Sequence, residues 1–138
     1  MAVPELAVGQ TFETVVVEDL RRTQIVQYAG ASGDYNPLHT DDVYTTKIAG
    51  YPSVFAHGML TMGMTGQALA GLVGAENLLR FGVRFTAQVW PGDSLTVRSS
   101  VARIFDDDGI PVAEFSVSTV TADDKEVVAG YAHARIAG

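Results

Sequence analysis

A glycine-rich apolar stretch, residues 57–73, stands directly before a second half that is strand-like almost to its end, and this order leaves few folds open. The stretch is apolar nearly all round, which predicts a helix buried in the core rather than lying on a surface. Gly63, Gly66 and Gly71 let neighbouring backbone approach it, while Met59, Met62 and Met64 fill irregular space or line an adaptable apolar channel. Downstream, residues 78–90, 95–105, 110–121 and 127–136 read as strands. Turn signals separate them: Pro91-Gly92-Asp93, then Asp106 to Gly109, then Ala122 to Lys125. Three successive antiparallel connections beside one helix predict a curved antiparallel sheet packed on that helix, an α+β layout.

Upstream, residues 11–17 alternate and are β-branched, as a first strand would be. Glu18 and Asp19 open a predicted helix that runs through Ala31, with negative charge where the helix dipole favours it. Leu20, Ile25, Tyr28 and Ala29 would line its inner face, and Gly30 and Gly33 would end it. Residues 40–55 read as irregular, broken by Gly50 and Pro52.

At 138 residues, 47% apolar and 18% charged, the chain is expected to form one domain over residues 1–138, with no linker or repeat. Its net charge of −7, from 16 acidic and 9 basic residues, argues against a general nucleic-acid binder. The absence of cysteine excludes a disulfide, a thiolate nucleophile and a cysteine metal site, and it fits a reducing cytoplasm, the expected location. His39, His57 and His133 show no metal-ligand spacing, so no metal is expected. Met1 to Leu6 lacks a basic n-region, so no signal peptide is expected. The broken apolar run falls short of the roughly 20 residues a bilayer span needs, so no membrane partner is expected either.

The run Gly33-Asp34-Tyr35-Asn36-Pro37-Leu38-His39 carries the chemistry. Pro37 lacks an N–H and biases Asn36 away from the α region, so the segment is neither regular helix nor regular strand. Such a loop can turn Asp34 and His39 toward one point, where they could hold and deprotonate a water. The residue types alone equally admit a plain role, with Asp34 capping a turn and His39 satisfying a backbone group. Gly58 opens the apolar helix, where unpaired N–H groups and the helix dipole favour an anion.

Together, Tyr28 to His39, Phe55-Ala56-His57-Gly58-Met59, Val83-Arg84-Phe85 and Trp90-Pro91-Gly92-Asp93 resemble the MaoC-like dehydratases, the (R)-specific enoyl-thioester hydratases. The closest likeness is to catalytic subunits of (3R)-hydroxyacyl-ACP dehydratases. The resemblance implies a single hotdog fold and reversible hydration of trans-2-enoyl thioesters in fatty-acyl metabolism, a hydro-lyase activity. It implies Asp34 and His39 as the catalytic pair and, together with the helix argument, Gly58 as the oxyanion donor. Asn36 then braces the pair or simply forms the turn before Pro37. His57 caps the helix, stays buried or touches substrate; Tyr28 and Ser32 are candidates to line the site; His133 is expected to be structural.

No cofactor is expected, because no electrons move; coenzyme A or acyl carrier protein enters as part of the substrate. Arg80, Arg84 and Lys47 are candidates to meet the carrier's phosphate, although Arg84 could equally be an ordinary strand-face residue. The resemblance also implies a homodimer, or a heterodimer with a related hotdog subunit. Two alternatives compete: a hotdog acyl-thioesterase, and an acyl-binding partner subunit of a heterodimeric dehydratase. Between Asp42 and Glu76 there is no carboxylate, which counts against a helix-borne acid of the thioesterase kind. A non-catalytic subunit would be expected to lack Asp34 or His39.

Overall fold

The computed structural model describes residues 3–138; Met1 and Ala2 of the N-terminal segment lie outside the described residues. Five strands form one antiparallel sheet: β1 (Thr11–Val17), β2 (Leu78–Phe85), β3 (Leu95–Asp107), β4 (Ile110–Thr121) and β5 (Glu126–Arg135). Two helices precede β2, α1 (Arg22–Ser32) and α2 (Gly58–Val73). The α+β class and the strand positions follow the sequence expectation closely, and β4 spans the predicted residues.

The connectivity differs at one place. The strand order is β1-β3-β4-β5-β2, so β2 lies at one edge, paired with β5, and never forms a hairpin with β3. The Pro91-Gly92-Asp93 turn does form, with Gly92 at φ 94 and the Trp90 N–H donating to Asp93 Oδ2 at 2.9 Å. Its outward groups bind elsewhere, however. The Gly92 N–H donates to Leu20 O at 2.7 Å and the Leu20 N–H to Asp93 O at 2.9 Å. The turn thus anchors a crossover to the segment after β1, and β2 stops at Phe85, five residues short of the predicted Trp90.

Helix α1 starts at Arg22 rather than at Glu18, because Asp19 adopts φ 53, a left-handed conformation that a helix start does not permit. Its first turn therefore carries no acidic residue, and the expected dipole pairing does not arise. Leu20, Ile25 and Ala29 are buried as predicted, and Tyr28 is half-buried. The stretch read as irregular contains one π-helical turn, Tyr44–Ile48, held by Thr45 and Asp41. Asp42 ties this region down, accepting from Arg22 and from the Val54 N–H. The Arg22 guanidinium, with the Val54 N–H, draws the Asp42 carboxyl below its ordinary range.

Helix α2 is buried along one stripe, Thr61, Thr65, Leu69 and Val73, rather than all round; Met59 is 56% exposed. Leu69 and Val73 pack into a core with Val97, Val101, Phe115, Val117 and Ala132 from the inner sheet face. Each of these side chains larger than alanine contributes roughly 1.5–3 kcal/mol relative to exposure. The buried Thr65 hydroxyl is satisfied by Thr119 Oγ1 at 2.7 Å. Two α2 glycines receive aromatic rings from β2: a Cβ on Gly66 would lie 3.1 Å from the Phe81 ring, and one on Gly58 would lie 3.2 Å from the Phe85 ring.

On the outer sheet face, Glu114 binds Arg103 at 3.1 Å and His133 at 2.8 Å, which gives His133 the structural role expected of it. Arg103 and then His133 hold the Glu114 carboxyl down at about 2, against an ordinary 4.5. The folded state therefore releases this proton more readily than the unfolded chain. The resulting stability is complete above pH 4.5 and disappears as pH falls through about 2. Glu114→Gln should lower Tm by a few degrees at pH 7, and the gap to wild type should close as melts are repeated toward pH 2.

Candidate active site

The loop between α1 and the short 3-10 turn Pro37–His39 is built from side chains that bond backbone two residues ahead. Gly33, at φ 77, ends α1 with its N–H on Ala29 O. Ser32 Oγ then accepts from the Asp34 N–H at 3.1 Å, Asp34 Oδ1 from the Asn36 N–H at 3.2 Å, and Asn36 Oδ1 from the Leu38 N–H at 3.0 Å. Asn36 thus forms and braces the turn that carries His39, a role that occupies its side-chain oxygen. Asp34 caps its own turn as well, which leaves Oδ2 as the carboxylate oxygen outside this ladder.

His39 Nδ1 lies 2.6 Å from Phe55 O. A carbonyl only accepts, so Nδ1 carries a proton, and in the neutral ring Nε2 is the nitrogen with the lone pair a base requires. The two plain roles anticipated for Asp34 and His39 therefore coexist with chemistry, because each uses a different atom. Phe55 is itself fixed edge-on by His39, Tyr51 and Trp90, with centroids 5.4, 5.0 and 5.6 Å away.

His57 joins the two halves of the site. Its side chain is buried, 2% exposed, and Nε2–H donates to Asp34 O at 3.0 Å. The ring stacks on His39 with centroids 3.7 Å apart and 23° between planes, and Tyr28 meets its other side edge-on at 4.9 Å. It is also the residue that precedes α2, with φ −61 and ψ 137. The first helix donors to find acceptors are Leu60 and Thr61, both onto His57 O, so the Gly58 and Met59 N–H groups stand ahead of the ladder. A cleft lined by Tyr28, Ser32, Asp34, His57, Gly58, Met59 and Phe85 sets this helix start against the Asp34 loop.

The MaoC-like domain family matches residues 4–123. The chain belongs to this family. Among curated proteins, a 68-residue part of this MaoC-like chain is 43% identical to 3-hydroxyacyl-thioester dehydratase Y of Mycobacterium tuberculosis, covering 47% of the chain and 23% of that protein. The chain thus spans about a quarter of that relative's length. Among solved structures, the unliganded R-hydratase PhaJ1 of Pseudomonas aeruginosa superposes with a TM-score of 0.80 at 28% identity, over 96% of this chain and 84% of that one. An M. tuberculosis protein described as a double hotdog fold superposes with a TM-score of 0.74 at 21% identity, over 95% of this chain and 42% of that one. The curved five-stranded sheet around α2 is the hotdog fold.

Not every candidate reaches the cleft of this MaoC-like domain. Arg84 points to the opposite face of β2, beside Ser116, Ser118 and Glu126, because strand alternation gives the inner face to Phe85. Arg80 shares the outer face of β2 with Arg84. The residues that sequence reasoning passed over are Phe55 and Phe85. Both lay inside the recognised motifs, and alternation along β2 was a signal sufficient to choose Phe85 over Arg84.

Folding brings Asp34, His39 and His57 together, with one potential ligand atom from each within 4.8 Å of the others; the Asp34–His39 convergence was expected of the loop, and the arrival of His57 was not. The two rings stack with centroids 3.7 Å apart, His57 Nε2 is engaged by Asp34 O, and among the described residues His57 Nδ1 is buried without a hydrogen-bond partner.

His57→Leu removes the donor to Asp34 O and the stack under His39. It should lower the unfolding free energy by about 1–3 kcal/mol in urea titrations. Asn36→Ala, which loses one turn-forming bond, should cost about 1 kcal/mol in the same assay.

Proposed function

We propose that this chain catalyses the reversible hydration of trans-2-enoyl thioesters to (3R)-hydroxyacyl thioesters. The observation that carries this reading is the Asp34 carboxylate, grouped with His39 and His57, set across a cleft from unpaired helix N–H groups. A water bound between the Asp34 carboxylate and His39 Nε2 loses a proton as its oxygen bonds to C3. The C2–C3 electron pair shifts toward C2, and negative charge gathers on the thioester oxygen. The Gly58 N–H, supported by the start of α2, donates to that oxygen. Such a preorganised donor is typically worth about 3 kcal/mol of barrier. The pair then returns a proton to C2, and dehydration retraces the same steps. The reaction moves no electrons to or from a carrier, so it requires no cofactor; coenzyme A or an acyl carrier protein arrives attached to the acyl group.

The names of its relatives support this reading, since they are a thioester dehydratase and an R-hydratase. A related hotdog subunit is the proposed partner, identical or not. The outer edge of β2 is unpaired in the sheet and carries half-exposed Leu79, a strand edge suited to pairing. Among the described residues no helix is long and apolar enough to cross a membrane, and a cytoplasmic location is part of the proposal.

Loss of enoyl absorbance with crotonyl-coenzyme A, read beside free-thiol release, tests the activity. Hydration without thiol release is expected; thiol release instead would favour the thioesterase. Asp34→Asn and His39→Ala should each reduce turnover by about 10²–10⁴-fold while circular dichroism is retained. Gly58→Val should also cripple turnover, because its side chain displaces the Phe85 ring and blocks the N–H.

A further inference from the structure

Two cavities meet at one aromatic ring. Beside the Asp34 cleft lies a second cavity of about 370 Å³, lined by Phe55, Ala56, Ala87, Val89 and Val127 and also by the polar Thr61, Thr86 and Gln88. Gly58 and Phe85 are the residues common to both. The Phe85 ring rests directly on Gly58, close enough that a Cβ there would come within 3.2 Å of two ring carbons. Yet the residue is 49% exposed, so its outer side is unpacked. A ring held on one side only can leave its seat by rotating between staggered wells.

The structure assigns Phe85 as the residue that sets acyl-chain length, an inference that rests on the hydratase reading above. The thioester oxygen is held at the Gly58 N–H, so the acyl chain starts beside this ring and meets it early. With the ring on Gly58, the chain is confined to the catalytic cleft, as suits a short enoyl group. When the ring withdraws, the cleft joins the second cavity, whose apolar wall then takes the distal methylenes of a medium-chain enoyl thioester. The volume falls within the range of small-ligand pockets, roughly 300–1,000 Å³. Each methylene moved out of water there is worth about fourfold in binding. Opening the ring therefore changes the preference between chain lengths more than it changes the chemistry.

The test compares kcat/KM for crotonyl- and dodecenoyl-coenzyme A in wild type, Phe85→Ala and Phe85→Leu, each also combined with Ala87→Phe. Removing the ring should raise the dodecenoyl-to-crotonyl ratio by about tenfold or more. Ala87→Phe fills the second cavity and should reverse that gain. Circular dichroism checks folding, and Phe85→Leu keeps an apolar side chain on Gly58 should Phe85→Ala fail to fold. Ratios within about twofold of wild type in a folded Phe85 variant would overturn the role of Phe85 while leaving the hydratase reading intact. A gain that survives Ala87→Phe would overturn the second cavity as the place for the chain. No turnover of either thioester by the wild type would overturn both readings together.

Discussion

The buried imidazole of His57 is the contact on which the site depends. One nitrogen donates to the Asp34 carbonyl, one ring face supports His39, and its own backbone delivers the chain into Gly58 and α2. The Asp34 carboxylate comes from a loop after α1, and the unpaired N–H groups come from the start of α2. The two segments are tied together through Phe55, which bonds Leu38 and His39, and through His57. A ring that touches both converts two independent features into one geometry. Catalysis by positioned groups depends on such fixed separations, since misplacement of about 1 Å can cost 10²-fold.

The second constraint is the seating of β2 on α2. Phe81 and Phe85 lie four residues apart on the inner face of β2, and their rings meet Gly66 and Gly58, eight residues apart on the helix. Four strand residues span roughly 13 Å and eight helical residues roughly 12 Å, so the two spacings match. The match holds β2 at the sheet edge beside the helix start rather than in a hairpin with β3. It also explains why the helix needs glycines at these two places, while Gly63 and Gly71 face open space.

These long-range matches are what the sequence concealed. The helix, the strands and the Gly33–His39 run were legible because each is a local pattern. The hairpin between β2 and β3 was misread because Pro91-Gly92-Asp93 is a true turn whose partner, Leu20, lies far back in the chain. The start of α1 was misread because acidic residues at positions 18 and 19 suit a helix start, whereas the Asp19 backbone is left-handed where the chain docks on that turn. The role of His57 was left open, since burial, a bond to Asp34 and a stack on His39 all arise across more than fifteen residues of sequence. Arg84, offered either as a carrier contact or as an ordinary strand-face residue, lies on the outer face of β2, where alternation along the strand places it.

The Gly33–His39 loop is exposed, yet it is tied down along its length. Ser32, Asp34 and Asn36 each spend one oxygen on the backbone N–H two residues ahead, and the Phe55 carbonyl and the His57 ring close the segment from behind. Short polar side chains of this type usually compete with regular structure, which is why they occur in turns. Here the same competition is turned into order, repeated at every second residue until His39 is placed. The Asp34 carboxylate can then face water, from which its reactant comes, without the loop having to reorganise when substrate binds. A loop tied at every second residue and a ring held on one side only at Phe85 thus stand at the same cleft, the first fixed by its hydrogen bonds and the second free to turn.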